Sequence, residues 1–495
     1  MQGIDLHKLL DALLYHEKDP LLFNSSFFLF FFGIFLLIYV IGYRFSTLRI
    51  YLLTLFSLYF FYKTCGSYVG FILLSAVFDY NISQIIYKTE NKSSKKLLLV
   101  GSVIMNLGLL FYFKYTNFFI GILNDFGSHN INYLKLALPV GISFYTFENL
   151  SYTIDVYRGE FKPVKKFIDY LFFLSFFPKL MMGPIVRASD FIPQINREPF
   201  ISEKQVGEGL YLITAGIVKK VIISDFINAN YVINIFDNPS THTGLECLMA
   251  VYGYAMVIYC DFSGYSDIAI GIAKWMGFDI NINFLSPYQS ASIAEFWRRW
   301  HISLSSWLKD YVYIPLGGNR KGSINTYKNL FITMLIGGFW HGASWNFLFW
   351  GGLHGIALAV ERLRNSFGRK HLLVLPYSPT ATKVAAIILT FHFVCLGWII
   401  FRCDTFADSW MMLKQITTNL QPKLLKPLLQ GYLPVFILLA IGFILHAISP
   451  KTENGFKQLI INMPLPLKML YFFICIYIAI QLKQADIIKP IYLQF

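Results

Sequence analysis

Residues 337–355 read GGFWHGASWNFLFWGGLHG. His341 sits at the centre of this run, among apolar and aromatic residues punctuated by glycines. A titratable imidazole inside a segment apolar enough for a bilayer is costly to keep. It therefore marks a candidate functional site. The plain alternative is a neutral histidine hydrogen-bonded between two helices.

The rest of the chain has the same character. Of 495 residues, 56% are hydrophobic and only 14% charged, with 49 Phe and 31 Tyr. A soluble domain carries about 25% charge. Mean hydropathy is +0.52, and apolar runs of spanning length recur from Phe27 onward. Long apolar runs cross lipid as helices or closed barrels, and the period-2 alternation of a barrel is absent. The expectation is an all-α polytopic membrane protein forming one membrane domain over residues 1–495.

The net charge of +14 would suggest nucleic acid in a soluble protein. Here Lys and Arg sit in short loops beside apolar spans, where they set topology and meet anionic headgroups. No nucleic-acid partner is expected, and membrane lipids are. The cysteines Cys65, Cys247, Cys260, Cys395, Cys403 and Cys475 have no CxxC or metal spacing and read as buried thiols. Residues Met1–Pro20 are polar and of mixed charge, without a cleavable-signal pattern, and the polar N-terminal segment extends over residues 1–24.

Spans are expected at about Ser25–Tyr43, Ile50–Tyr62, Tyr68–Ile86 and Leu97–Ile120. The loop KTENKSSKK, residues 88–96, and the Arg44–Arg49 corner lie on the cytoplasmic side by the positive-inside rule. Leu138–Glu160 starts apolar and then acquires Glu148, Asn149 and Asp155. Tyr170–Ile185 is short and broken by Pro178, Gly183 and Pro184, which suggests a re-entrant or broken helix. Val206–Phe236 is helical but interrupted by Lys219 and Lys220. Leu245–Met276 crosses with Asp261, Ser263 and Asp267 inside it, so its carboxylates should face a polar interior. Residues 277–329 are the longest polar, basic stretch and fall on the cytoplasmic side. Asn329–Trp340 rises to His341, and Ser344–Val360 returns to Arg362, Arg364, Arg369 and Lys370, so residues 330–361 form the candidate catalytic helix pair. Further spans are expected at about Ala381–Phe401, Leu433–Ile448 and Leu467–Ile480. The total is roughly eleven spans, with no internal repeat of the transporter kind.

Glu295–Gly318 reads EFWRRWHISLSSWLKDYVYIPLGG. At about 100° per residue, Phe296, Trp297, Trp300, Leu304, Trp307, Leu308 and Tyr311 share an arc of about 120°. Arg298, Arg299, Ser305, Ser306, Lys309 and Asp310 lie opposite, with His301 at the border. This predicts one interfacial helix, aromatics toward lipid and cations toward water. A plain anchor explains the stripe but not the histidine. The cluster Arg298, Arg299, Lys309, Arg320 and Lys321 has a second reading, as a site for the phosphates of a cytosolic acyl donor. Its topogenic role suffices without that.

Around His341, Gly337, Gly338, Gly342, Gly351 and Gly352 allow close helix approach or cavity space. Trp340, Trp345, Trp350 and Phe347 can wall an apolar tunnel. A neutral imidazole there can take a proton from an attacking hydroxyl. No GxSxG nucleophile is present. His341 and His354 stand 13 residues apart, which is not a metal spacing.

WRRWHISLSSWLKDYVYIPLGG followed by GGFWHGASWNFLFWGGLHG strongly resembles the membrane-bound O-acyltransferase family. The similarity is to its bacterial branch of alginate O-acetylase, peptidoglycan O-acetyltransferase and D-alanyl-lipoteichoic-acid transfer proteins. LLFNSSFFLFFF, LPVGISFYTFENLSYTIDVYRGE, FFPKLMMGPIVRASDF, YCDFSGYSDIAIGIAKWMGFDININFLSPY and the closing IYLQF look like the same branch. The resemblance implies His341 as the signature catalytic histidine and His301 as the second. It implies a ring of helices around a funnel and narrow tunnel, with His341 at the constriction. It implies no bound cofactor, acetyl-CoA as acyl donor, and acetyl passing toward the outer face. It further implies a periplasmic partner with a hydrolase-like (SGNH) domain, a glycan acceptor, and a place in the bacterial cytoplasmic (inner) membrane. Trp300, Trp340, Trp345, Asp261 and Asn149 are candidate tunnel-lining residues, Asp261 from its apolar setting alone, and Arg298 and Arg299 are candidate donor-binding residues. The expected function is O-acetylation of an exported polysaccharide or peptidoglycan. The alternatives are D-alanyl or other acyl transfer, a polysaccharide exporter without acyl chemistry, and a scaffold for periplasmic enzymes.

Overall fold

A computed structural model describes residues 11–16, 20–23, 25–127, 129–198, 200–368 and 379–482. Most of the Met1–Pro20 segment, Arg369, Lys370 and the closing IYLQF lie outside the described residues. Every regular element among the described residues is helical. The chain falls into two compact units, one of residues Met1–Gly209 and Ile268–Asn281, the other of Leu210–Asp267 and Ile282–Phe495.

The first unit opens with α1 (Ser26–Gly42), α2 (Ser46–Cys65), α3 (Val69–Lys88) and α4 (Lys92–Leu110), which passes through a wide turn into α5 (Thr116–Gly127). These match the first four expected spans, each apolar run continuing as helix because no proline interrupts it. Then come α6 (Ile142–Arg158) and α7 (Phe167–Ser175). The expected break in Tyr170–Ile185 is present. After Ser175 the backbone at Phe176 leaves the helical region, a short turn Phe177–Leu180 follows, and the chain runs irregularly to α8 (Ala188–Ile195). This irregular stretch is buried in protein, the setting in which non-helical backbone is tolerated in an apolar environment. Phe177 packs edge-on against Phe56 at 4.9 Å and beside Phe60 at 5.5 Å.

Several buried polar groups of the first unit are paired with one another. Lys179 makes an ion pair with Glu148, whose other oxygen accepts the Val186 N–H. Asp79 accepts from Ser102 and Asn106. Desolvation of such groups is offset only by hydrogen bonds of this kind.

Next come α9 (Glu203–Ile217) and α10 (Gly244–Trp275), then α11 (Ile293–Arg299), α12 (Ile302–Leu308), α13 (Gly322–His341), α14 (Trp345–Gly368), α15 (Pro379–Arg402) and α16 (Phe406–Thr418). α17 (Leu433–Ala447), α18 (Pro450–Asn462) and α19 (Leu465–Leu482) close the described chain. After Ile217 the helix widens into π geometry over Val218–Asp225, at the expected interruption. The widening carries Lys219 and Lys220 to carboxylates on α10: Lys219 to Asp267 at 2.6 Å, and Lys220 to Asp261, with Asp225 of its own turn at 2.7 Å.

Among the described residues, five stretches are long and apolar enough to cross a membrane, and six if the bent pair Pro422–Gly431 and Leu433–Ala447 counts as one span. The expectation was about eleven. The chain is an all-α membrane protein.

Candidate active site

α13 and α14 form a tight antiparallel pair in the second unit. Their contact is backbone to backbone. A Cβ on Gly338 would lie 2.3 Å from the Phe347 carbonyl oxygen and 3.0 Å from the Gly351 Cα. Only glycine permits this approach. α13 ends at His341 because Gly342 turns to an extended conformation. The imidazole is 3% exposed and boxed by rings: Trp340 at 5.0 Å, Trp350 at 5.3 Å and Phe401 at 5.4 Å.

His301 belongs to the same cluster, with ring centroids 6.4 Å from His341 and 6.0 Å from Trp340. Its local structure corrects the sequence reading. Glu295–Gly318 is not one interfacial helix. α11 stops at Arg299, α12 starts at Ile302, and His301 between them adopts φ 44° and ψ 54°. A left-handed conformation is uncommon for a non-glycine residue and marks a position over-determined by its surroundings.

The cause is the segment Asn283–Leu285. The Asn283 carbonyl accepts the Ile302 N–H at 3.0 Å, and the Leu285 N–H donates to the Arg299 carbonyl at 3.0 Å. Asn283 Oδ1 accepts the Ser303 N–H at 3.1 Å and the Ser303 hydroxyl at 2.9 Å. The two short helices are thus capped by a strand of chain from outside them. Asn283 Oδ1 also lies 3.2 Å from His301 Nδ1. A carbonyl oxygen only accepts, so Nδ1 carries the proton and Nε2 the lone pair. Burial pushes the His301 imidazole down to about 3, so it is neutral at ordinary pH.

The aromatic stripe is corrected as well. Phe296, Trp300, Leu304 and Trp307 are all buried. Trp300 packs on Trp398 at 4.9 Å and Phe284 at 5.1 Å. The apolar face that sequence periodicity assigned to lipid faces protein, because an apolar arc has the same pattern in either setting.

The remaining candidates divide. Trp340 lies against both histidines, and Trp300, next to His301 in sequence, is buried in the core. Trp345 faces outward: it is 53% exposed and lines an exterior groove with Phe331, Phe349 and Phe406. Asp261 is buried and engaged by Lys220, so its place is in an ion-paired cluster. Asn149 belongs to the polar network of the first unit, accepting from Tyr170 at 2.6 Å and donating to Asn106 at 3.1 Å. Arg298 is exposed. Arg299 is held by Glu295 at 2.8 Å and by the Leu285 carbonyl at 3.2 Å. Among the described residues no cluster of His, Cys, Asp and Glu could hold a metal ion.

Two residues of the site escaped sequence reading. Asn283 lies inside the family-like stretch of residues 259–288 but has no periodic signal of its own. His354, which neighbours Trp350 at 4.9 Å and takes the Trp297 indole N–H on Nδ1 at 3.3 Å, was weighed only as a metal ligand.

A buried imidazole pair walled by aromatics can move a proton out of contact with water. Comparison with known proteins agrees in kind. The model of the membrane-bound O-acyltransferase family matches residues 20–401. The chain is 37% identical over 388 residues to a peptidoglycan O-acetyltransferase of Helicobacter pylori, covering 73% of this chain and 72% of that one. It is 41% identical over 403 residues to a probable alginate O-acetylase of Pseudomonas aeruginosa, covering 79% and 74%. To a teichoic acid D-alanyltransferase of Bacillus subtilis it is 30% identical over 331 residues, covering 64% and 80%.

Proposed function

We propose, from the premise that this chain belongs to the membrane-bound O-acyltransferase family, that it O-acetylates an exported polysaccharide or peptidoglycan from a cytosolic donor. That it is a membrane acyltransferase follows from the family and its named relatives. The rest is our reading. His341 is the general base and acetyl-CoA the donor. The acetyl group moves outward across the bacterial inner membrane to a periplasmic SGNH-type partner, which completes transfer to the glycan.

The observation that carries this reading is the buried pair His341 and His301, 6.4 Å apart, with Trp340 against both. In the proposed step an acceptor hydroxyl oxygen bonds to the thioester carbon while its proton passes to a His341 nitrogen. The carbon–sulfur bond then breaks, and the thiolate takes the proton back. General-base catalysis of this kind contributes roughly 10²–10⁴-fold. His301, its Nδ1–H fixed by Asn283, is the second imidazole of the site, beside His341.

The test is His341→Ala in cells lacking their own copy, with surface O-acetyl ester measured against the amount of variant in the membrane. Loss of ester at a normal amount of protein is expected. Retained ester at that amount would falsify the role of His341 and leave an exporter or scaffold standing. The D-alanyl alternative is favoured by one observation, the 30% identical teichoic acid D-alanyltransferase, against identities of 37% and 41% to O-acetylating relatives. Labelled acetate or labelled D-alanine recovered from the cell surface separates the two.

A further inference from the structure

We propose that His354 is a positioning residue: by holding the Trp297 indole it sets the spacing of His301 against His341. This inference rests on the acyl-transfer reading of His341.

α11 runs antiparallel along α14, and two hydrogen bonds join them. The Ala294 N–H, in the first turn of α11, donates to the Glu361 carboxylate at 2.9 Å. The Trp297 Nε1–H donates to His354 Nδ1 at 3.3 Å. Ala294 and Trp297 are three residues apart, and His354 and Glu361 seven, so each pair occupies one face of its helix. Farther along, α11 stops at Arg299 and delivers His301. In the same direction α14 leads back to Trp350, which meets His341 edge to face at 5.3 Å. The two histidines, with ring centroids 6.4 Å apart, thus share α14 as a frame.

His354 is itself fixed. It is fully buried, and rings surround it: Trp350 at 4.9 Å, Trp297 at 5.2 Å, Phe393 at 5.4 Å and Phe296, stacked, at 6.2 Å. An indole nitrogen only donates, so Nδ1 carries the lone pair and the imidazole is neutral. An imidazolium would turn an N–H against the Trp297 N–H. A ring held on several sides, with its acceptor engaged by one donor, makes a firm anchor for that donor. Trp297 also packs 5.7 Å from Trp350, so its indole touches the ring that walls His341. It stands four residues before His301 in sequence.

The His301 turn is therefore held from two directions. Asn283 binds it directly, and the Trp297–His354 bond holds the helix that enters it. Without that bond the indole N–H seeks another partner, α11 is free to tilt on α14, and His301 moves relative to His341. A misplacement of about 1 Å at the reacting groups costs about 100-fold in rate.

The test uses full-length protein in cells lacking their own copy. Surface O-acetyl ester is read per molecule of protein in the membrane, and melting temperature on the purified variants. His341→Ala sets the zero. His354→Phe keeps a ring and removes the acceptor. Trp297→Phe keeps a ring and removes the donor. His354→Gln keeps an acceptor oxygen. Trp297→Phe and His354→Phe should each lower the rate about tenfold or more, at little change in melting temperature. The double variant should fall no further, because the same bond is lost in all three. His354→Gln should recover part of the rate, which a role in packing alone does not give. Rates within about twofold of wild type for Trp297→Phe and His354→Phe, with His341→Ala at zero, overturn the positioning role and leave the acyl-transfer reading intact. A double variant whose loss is the product of the two single losses overturns it too, as does His354→Gln no faster than His354→Phe. If His354→Phe does not reach the membrane, the rate of Trp297→Phe decides alone. Ester retained in His341→Ala overturns the underlying reading and the positioning role together.

Discussion

Asn283 Oδ1 accepts from both His301 Nδ1, at 3.2 Å, and the Ser303 backbone N–H, at 3.1 Å. One side-chain oxygen thus fixes the tautomer of a buried histidine and caps the helix that follows it. The Ser303 hydroxyl also donates to it, at 2.9 Å, so Asn283→Ala removes that acceptor from three buried donors at once. A loss of about 1–3 kcal/mol per unmade bond is expected, together with at least a tenfold fall in ester formation. Asn283→Asp retains an acceptor oxygen and should preserve the fold better than Ala. Melting of the purified variants and their ester formation per unit protein check this. Wild-type values for Asn283→Ala in both would remove Asn283 from the site.

The same burial makes stability depend on pH. His301 titrates near 6.5 when unfolded and is pushed down to about 3 in the fold. Between those values the unfolded chain binds a proton that the native chain does not, so stability rises with pH through this window. The His301 contribution is intact above about 6.5 and is lost progressively on acidification toward 3, by several kcal/mol. His301→Gln should flatten part of the fall in melting temperature between pH 7 and pH 4. An identical slope in wild type and variant would assign the acid sensitivity to other groups.

The all-α membrane character was legible because long apolar runs announce themselves locally, and His341 stood out as a candidate because a lone imidazole does the same. The break at His301 was not. The helical wheel of Glu295–Gly318 is regular, yet the Asn283 carbonyl and side chain hold Ile302 and Ser303 from a segment some twenty residues earlier. Local periodicity carries no trace of such a long-range cap. Lys219 and Lys220 were legible as an interruption but not as ion pairs, since Asp261 and Asp267 lie about forty residues away in sequence. Asp261, a candidate from its apolar setting, is engaged by Lys220 in a charge cluster.

That cluster yields a sharp prediction. Lys220 is 3% exposed and meets both Asp225 and Asp261. Lys220→Met leaves two buried carboxylates without their cation, and breaking a buried pair by removing one partner costs about 3–5 kcal/mol. Little variant should reach the membrane. Adding Asp261→Asn to Lys220→Met removes one carboxylate charge and should recover part of the protein. The recovered protein should transfer acetyl at a near-normal rate per molecule, because Asp261 acts in folding. A recovered double variant that is inactive would return Asp261 to the catalytic list.

The glycines of the α13–α14 pair separate packing from propensity. Replacing a mid-helix glycine by alanine favours the helix by about 1 kcal/mol. At Gly352 the new methyl would meet Leu335 and Phe331 side chains at 3.5 Å and 3.6 Å, ordinary contacts, so Gly352→Ala should be neutral or slightly stabilising. At Gly338 it would meet the Phe347 carbonyl oxygen at 2.3 Å and the Gly351 Cα at 3.0 Å. Both are backbone atoms that yield only if α14 moves as a body. Overpacking of this kind costs about 1–3 kcal/mol and outweighs the propensity gain. Gly338 lies one turn before His341 on α13, and Trp350 beside Gly351 on α14. Forcing the helices apart therefore also shifts His341 against Trp350. Gly338→Ala should lower both the melting temperature and ester formation per molecule, while Gly352→Ala lowers neither. Equal behaviour of the two alanine variants would mean that close backbone approach does not set the geometry around His341.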